Sequence, residues 1–267
     1  MASTHLNLGE TAKTFRDLHR PGRPLVLANV YDMLSAKTVA GLSSCHALAT
    51  ASYSVALAAG TTDDELTLDQ NMAAARQIGR VAAAHGKPLT VDLQDGYGDR
   101  LADAVRQVIA AGAVGINLED YDRGAKAFYS VDEAAARVRT AVQVAAGDAP
   151  VAGGLRDFVV NARCDTLVQG GELAEVIERG KSYLDAGATS VFVWGGRQRG
   201  VSRAEVEQLV TAFDGRLSVS FKWEDGLTVA ELAAMGVARI SVGPAIMFFA
   251  MAEYERRARL LLDQAQY

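Results

Sequence analysis

The chain has 267 residues, 49% hydrophobic and 22% charged, a balance ordinary for a water-soluble globular protein with length for one large core. Its 27 basic and 32 acidic residues leave a net charge of −5, which argues against a nucleic-acid or anionic-membrane partner. The two cysteines, Cys45 and Cys164, have no metal-type spacing and build no disulfide framework, so a reducing, cytoplasmic setting is expected.

Residues 9–20 ("GETAKTFRDLHR") read as a helix ahead of the first strand, and the polar start shows no signal-peptide core. Eight apolar, β-rich runs follow, at 25–30, 47–52, 88–94, 115–120, 158–165, 190–195, 217–223 and 239–245. Residues 53–70, between the second and third runs, read as an extended loop. Segments 101–113 and 172–188 carry apolar residues at helical steps, and each closes on Ala-Gly-Ala, the glycine suited to a helix C-terminus. The longest apolar stretch, 240–252, is too short to span a bilayer and contains Gly243 and Pro244, so no membrane partner is expected. Near-continuous apolar strands are what parallel strands buried on both faces look like. Eight strand–helix units of unbroken composition predict a single α/β domain, 1–267, folded as a (β/α)8 TIM barrel with an extra N-terminal helix.

Active sites of such barrels lie at the C-terminal ends of the strands, and polar residues gather there. Tyr31 and Asp32 follow the first strand, and Thr50 and Ser52 end the second. Asp92, Gln94 and Asp95 end the third, Asn117, Glu119 and Asp120 the fourth, and Asn161, Arg163 and Asp165 the fifth. Trp194 ends the sixth; Ser220, Lys222, Trp223 and Glu224 end the seventh. Strand alternation groups Asp92 with Gln94, Asn117 with Glu119, and Asn161 with Arg163 and Asp165. Carboxylates that converge on one rim stay ionised together only beside a cation or an arginine. An oxygen-rich set suits Mg2+ or Mn2+, completed by water and substrate oxygens. The planar fork of Arg163 suits a carboxylate or phosphoryl group. Structural readings stand beside these: Asp32 and Asp120 as helix caps, Arg163 as an ion-pair partner, Cys164 packed against a helix. No Ser-His-Asp or Cys-His arrangement is visible, and Gly96 and Gly98 lack the spacing of a dinucleotide fingerprint.

The segments "LANVYDMLSAK", "VDLQDGYG", "GINLED", "GAK", "NARCD", "YLDAGATSVFV" and "GVARISVGPAI" together resemble the phosphoenolpyruvate mutase/isocitrate lyase superfamily over about residues 24–250. The resemblance implies a barrel whose C-terminal helix is exchanged between subunits of a homodimer or homotetramer. It also implies Mg2+ and a substrate that is a 2-oxo acid or becomes an enolate. By position it implies that Asp92 binds the metal directly and that Glu119 holds it through water. Asp63 corresponds to the acid of the loop after the second strand, and Arg163 to the substrate-binding arginine. Thr50, Ala51 and Ser52 correspond to the turn that holds the substrate carboxylate. Gln94 stands where the family has a second acid and leaves the metal set one charge short. The loop "GAKAFYS" (124–130) keeps Lys126 but lacks the cysteine of the C–C lyases, which argues against isocitrate or methylisocitrate lyase chemistry. Trp194 replaces a glutamate of those lyases.

These readings point to an Mg2+- or Mn2+-dependent enzyme acting on a small 2-oxo or 2-hydroxy carboxylate, oxaloacetate-like. It would cleave or decarboxylate a C–C bond through an enolate. Asp63, Arg163, Lys126 and Tyr129 are the candidate catalytic residues, the last two as proton sources on closure of the loop at 121–130. Tyr31, Asp32, Thr50, Ala51, Ser52, Asn161, Arg163 and Ser220 are candidate substrate contacts. Asp92, Glu119 and Gln94 are the candidate metal residues, Gln94 by orienting a metal-bound water. The alternatives are a P–C bond mutase acting on a phosphoenolpyruvate-like compound, a catalytically retired binding protein, and a Schiff-base aldolase using Lys222. The helical pattern at 243–262 is apolar on more than one face and also predicts a homo-oligomer.

Overall fold

The computed structural model describes residues 7–147 and 153–265. Strand β1 runs through Leu25–Leu27 and Asn29–Val30, interrupted at Ala28. It is followed by β2 (Leu48–Thr50), β3 (Leu89–Asp92), β4 (Gly115–Glu119), β5 (Val159–Cys164), β6 (Ser190–Val193), β7 (Leu217–Ser220) and β8 (Arg239–Ser241). Neighbours pair in parallel, and the two halves of β1 pair with different strands: Leu25–Leu27 with β8, Asn29–Val30 with β2. A sheet whose two ends belong to one strand is a closed barrel, and the (β/α)8 expectation holds. The strands are buried along most of their length, because helices cover the outside and side chains fill the inside.

The outer helices are α2 (Met33–Ala40), α3 (Ser52–Ala58), α4 (Leu68–Ala84), α5 (Leu101–Ala110), α6 (Val131–Gly147), α7 (Leu173–Asp185), α8 (Arg203–Ala212) and α9 (Val229–Met235). Four of their starts are written in the sequence: Asp32, Thr67, Ser202 and Thr228 each close a reciprocal capping box. The expected glycines follow α5 and α7, with Gly112 at φ 93° and Gly187 at φ 105°. The segment read as an open loop, 53–70, instead begins with α3 and includes a single 3-10 turn at Asp63–Glu65. Its helix is too short to show a period, and the Gly-Thr-Thr-Asp-Asp run after it hides the boundary.

The extra helix, α1 (Leu8–Asp17), plugs the N-terminal mouth of the barrel. Its Ala12 and Phe15 pack with Leu25, Leu27, Ala47, Ala49, Val114 and Val159 in a core separate from the main one. Above the plug lies a polar layer inside the barrel. Arg239 is fully buried on β8 and donates from Nη2 to Asn117 Oδ1 at 3.0 Å. Asn161 Nδ2 donates to the same oxygen at 2.8 Å, and Ser190 Oγ donates to Asn161 Oδ1 at 2.6 Å. His19 Nδ1 lies 2.8 Å from the Phe15 carbonyl, which can only accept, so that nitrogen carries the proton and Nε2 faces Arg239 Nη1 at 3.4 Å as an acceptor. Burial, then the charge of Arg239, lower the His19 pKa to about 3. Burial lowers that of Arg239 to about 9, against the field of Asp92.

The last helix, α10 (Ala245–Leu262), buries only Met247 and leaves Phe249, Met251, Tyr254 and Leu260 to Leu262 exposed. No helix among the described residues is long and apolar enough to cross a membrane.

The plug depends on a missing side chain. A Cβ on Gly115 would stand 2.8 Å from the Phe15 ring and 2.9 Å from the Val159 carbonyl oxygen. Gly115→Ala is therefore expected to destabilise the fold by about 1–3 kcal/mol. Urea unfolding should show a lower midpoint, and an unchanged midpoint would mean that α1 shifts without cost.

Candidate active site

Asp92 ends β3 under tight control. Its backbone N–H donates to Thr50 Oγ1 at 2.8 Å, and its carbonyl accepts from Asn71 Nδ2 of α4 at 3.0 Å. Its Oδ2 accepts the Ser52 backbone N–H, at the start of α3, at 3.0 Å. Its Oδ1 is buried and has no hydrogen-bond partner among the described residues. Although it ends a strand at the rim, the Asp92 residue is only 8% exposed. Burial, then the charge of Glu119, push its carboxyl above the usual range, with Arg163 opposing.

The chain then turns sharply. Gln94 (φ 54°), Gly96 (φ 80°), Tyr97 (φ 60°) and Gly98 (φ 61°) all occupy the left-handed region. At Gly96 a side chain would also strike Leu101, its Cβ standing 2.5 Å from Cδ1. At Gln94 and Tyr97 that backbone is strained and must be held by its surroundings. Asn71 Nδ2 donates to the Tyr97 hydroxyl at 2.9 Å, and Gln94 Nε2 donates to Asp63 O at 2.7 Å and Oδ1 at 3.1 Å. Because the strand stops at Asp92, alternation does not relate Gln94 to it, and the Gln94 amide is tied to Asp63.

Beside Asp92 runs a chain of alternating charges. Asp165 Oδ1 accepts from Arg163 Nε at 2.7 Å, and Arg163 Nη1 donates to Glu119 Oε1 at 2.7 Å. Arg123 continues it, donating from Nε to Glu119 Oε2 at 3.0 Å and from Nη2 to Asp63 Oδ2 at 2.8 Å. Glu119 and Arg163 meet because β4 and β5 pair them in register. The Arg163 guanidinium also lies over the Trp194 ring, 4.5 Å from its centroid. Burial would lower the pKa of either arginine, but the neighbouring carboxylates outweigh it and both are raised. Arg123 is the residue that the sequence reading missed. Its signal was an additional cation in "EDYDRGAK", between the strand tip and Lys126.

Several other expected site residues carry structural roles in the fold. Asp32 caps α2 through Ser35, accepting its backbone N–H at 2.7 Å, and Tyr31 is half-buried beside it. Ala51 is the N-cap of α3. Asn161 belongs to the polar layer inside the barrel, with both ends of its amide engaged. Ser220 and Lys222 line a separate cavity of about 370 Å³ together with Arg199, Ser202 and Arg203. The loop after β4 forms a two-stranded hairpin, Tyr121–Asp122 against Ala127–Phe128. Lys126 is exposed at its turn, at φ 53°. Tyr129 is not on an open loop but in the core, where its hydroxyl donates to Asp95 Oδ2 at 3.2 Å under the Arg137 guanidinium. Burial and the Asp95 charge push its pKa up. Asp120 does not cap a helix; it accepts from the Asp165 backbone N–H at 3.0 Å and the Tyr183 hydroxyl at 2.6 Å. Cys164 is buried with its thiol pKa pushed up, as expected of a packed residue.

Among the described residues no three His, Cys, Asp or Glu side chains converge as a metal cage. The Asp92 site still fits one hard cation, since a buried carboxylate oxygen without a partner requires either a cation or a proton. Glu119 Oε2 carries one N–H and keeps a lone pair for a cation-bound water.

The sequence profile of the phosphoenolpyruvate phosphomutase family matches residues 15–262. A solved structure from Burkholderia cenocepacia J2315, provisionally assigned as a phosphonomutase, has a TM-score of 0.84 and 37% identity, covering 95% of this chain and 99% of that one. Oxaloacetate acetylhydrolase, solved with its product oxalate, has a TM-score of 0.83 at 28% identity, covering 96% of this chain and 88% of the other. Oxaloacetate decarboxylase of Paraburkholderia xenovorans (strain LB400) is 30% identical over 185 residues, 66% of this chain and 58% of the relative.

Asp120 sits behind the site and positions Asp165, which in turn holds Arg163. Tyr183→Phe removes one of its donors and is expected to cost about 1–3 kcal/mol, the penalty for under-satisfying a buried acceptor. The urea midpoint should fall accordingly, and no fall would show that Arg179, 3.7 Å from Asp120 Oδ2, takes over.

Proposed function

The chain belongs to the phosphoenolpyruvate phosphomutase family, within the phosphoenolpyruvate mutase/isocitrate lyase superfamily, and on that premise we propose a divalent-metal-dependent enzyme of C–C bond chemistry. Its substrate is a small 2-oxo or 2-hydroxy carboxylate of the oxaloacetate type, and the reaction is cleavage or decarboxylation through an enolate. The observation that carries this reading is the buried, unpartnered Oδ1 of Asp92 beside Glu119 and Arg163. The likeness to oxaloacetate acetylhydrolase and oxaloacetate decarboxylase supports the substrate class.

Asp92 would hold Mg2+ or Mn2+ directly and Glu119 would hold it through water. Such an ion would supply Lewis-acid charge to stabilise a developing enolate. Arg163 uses Nε and Nη1 on Asp165 and Glu119, and Nη2 has no partner among the described residues, so it can receive a substrate carboxylate. Asp165, Glu119 and the Trp194 ring hold that guanidinium in one plane, which removes reorientation cost when the anion arrives. Thr50 Oγ1 accepts from Asp92 and keeps its own proton to donate. With the Tyr129 hydroxyl engaged by Asp95, Lys126 is the proton donor of the two loop candidates. Decarboxylation or hydrolysis needs no loop thiol, consistent with Ala127, Phe128 and Tyr129 in that segment.

P–C bond chemistry is the second reading, favoured by the Burkholderia cenocepacia likeness. Oxaloacetate, malate derivatives and phosphoenolpyruvate, followed by ¹H and ³¹P NMR with and without Mg2+, separate the two. A shift of phosphorus resonance with loss of the C–C activity would select the second, and no metal binding at all would select a retired binding protein.

Asp92→Asn is expected to abolish metal-dependent turnover while the unfolding midpoint stays equal or rises, since it removes a buried charge. Turnover equal to the parent would overturn the reading. Lys126→Ala should lower turnover with stability unchanged within about 0.5 kcal/mol, because the lysine is exposed. We also propose that the exposed apolar face of α10 is covered by a second copy; light scattering at micromolar concentration should give an oligomer, and a monomer would refute this.

A further inference from the structure

Arg123 engages the rim through all three nitrogens of its fork. Its Nε and Nη2 bond both oxygens of Glu119, Nη2 bonds Asp63 Oδ2, and Nη1 reaches the Asp63 carbonyl at 3.2 Å and Asp64 Oδ1 at 3.3 Å. Its side chain is 17% exposed, and every nitrogen of the fork has an acidic or carbonyl partner. Glu119 comes from β4 and Asp63 from the turn after α3, while Arg123 itself lies in the β4 hairpin. One guanidinium therefore joins three segments of the rim. The far end of the hairpin is fixed independently: Tyr129 binds Asp95 through its hydroxyl, and its carbonyl accepts from Arg179 Nη1 at 3.0 Å. The near end leaves Asp120, whose N–H donates to the Arg163 carbonyl at 3.1 Å, and Arg123 is the side-chain tie beyond that anchor, beside an edge contact between Tyr121 and Phe128 within the hairpin.

A cation held by Asp92 and, through water, by Glu119 draws on the same carboxylate that Arg123 already occupies. Glu119 Oε1 accepts from both Arg163 and Arg123, at 2.7 and 3.3 Å, so both of its lone pairs are in use. The guanidinium charge also repels an arriving divalent ion. Oε2 keeps one lone pair for a cation-bound water, but beside the Arg123 Nε that it already accepts from. We propose that Arg123 is a resident cation that latches the site shut: it neutralises Glu119 and Asp63, helps pin the near end of the hairpin, competes with a divalent cation for the site and swings away as that cation binds. Release of the latch loosens the hairpin between its anchors at Asp120 and Tyr129, so cation binding and lid motion are coupled. The inference rests on the proposed metal site at Asp92.

The test is Mg2+ titration by calorimetry, with oxalate present at constant concentration, on the parent, Arg123→Gln, Arg123→Lys and Asp92→Asn. Arg123→Gln should bind Mg2+ about tenfold more tightly or better than the parent, from loss of one like charge near the ion. Arg123→Lys keeps the charge and should stay close to the parent, which controls for a folding defect. Amide hydrogen exchange at 121–124 should rise in the parent when Mg2+ is added, and should already be high in Arg123→Gln. Binding that depends on Asp92 but is equal or weaker in Arg123→Gln would overturn the latch and leave the metal site standing. Absence of Asp92-dependent binding in both the parent and Arg123→Gln would overturn the metal site and the latch with it. Binding in Arg123→Gln alone would be the strongest support.

Discussion

A buried carboxylate with one oxygen unanswered is expensive in a folded protein, and the C-terminal rim of this barrel is organised around one. Three bonds fix Asp92 in place: its N–H to Thr50, its carbonyl to Asn71 and its Oδ2 to the Ser52 amide. None of them satisfies Oδ1. Each neighbouring element then contributes something that tolerates the charge. β5 supplies Arg163, whose charge opposes the shift on Asp92, the hairpin supplies Arg123 to the neighbouring Glu119 and Asp63, and the left-handed turn at 94–98 carries the chain away from the carboxylate. Strain at Gln94 and Tyr97 is held by Asp63 and Asn71, so the turn and the rim stabilise each other.

The two mouths of the barrel are handled by opposite chemistry. At the N-terminal mouth, Phe15 fills the opening and Gly115 makes room for it, with a neutral His19 between the plug and Arg239. Arg239 meets amides and imidazole but no carboxylate, which is why burial depresses its pKa. At the C-terminal mouth the arginines meet carboxylates directly, and their pKa values rise. A barrel sealed at one end and charged at the other has one face on which an ionic ligand can be received.

Fold and site were unequally legible in the sequence. The eight strands stood out because each is a short apolar run between helical patterns, and the glycines after α5 and α7 marked their stops. Helix α3 was hidden because about two turns of "SYSVALA" have no readable period. Asp92, Glu119 and Arg163 could be picked out by strand position and Asp63 through the family resemblance, and the fold brings them to one rim. Roles that depend on conformation could not. Gln94 was grouped with Asp92 by alternation, which fails where the strand stops and φ turns positive. Tyr129 looked like a loop residue until the hairpin folded it against Asp95. Arg123 had no strand position to recommend it; only the pairing of a hairpin with a distant turn places it between two acids.

The charge balance of the rim bears on the order in which ligands arrive. Asp92, Glu119, Asp63 and Asp165 face Arg163 and Arg123, leaving two negative charges in excess, the charge of one divalent ion. A small dicarboxylate approaching that rim meets net repulsion, and Arg163 alone cannot reverse it because Glu119 and Asp165 already share its charge. If a divalent ion at Asp92 displaces Arg123, one positive charge leaves and two arrive, so the excess would fall and the open Nη2 of Arg163 would become more attractive to an anion. Cation before substrate is therefore the order that electrostatics favours on the proposed reading. The Trp194 ring fits that sequence, since it holds Arg163 through its face without adding a competing negative charge.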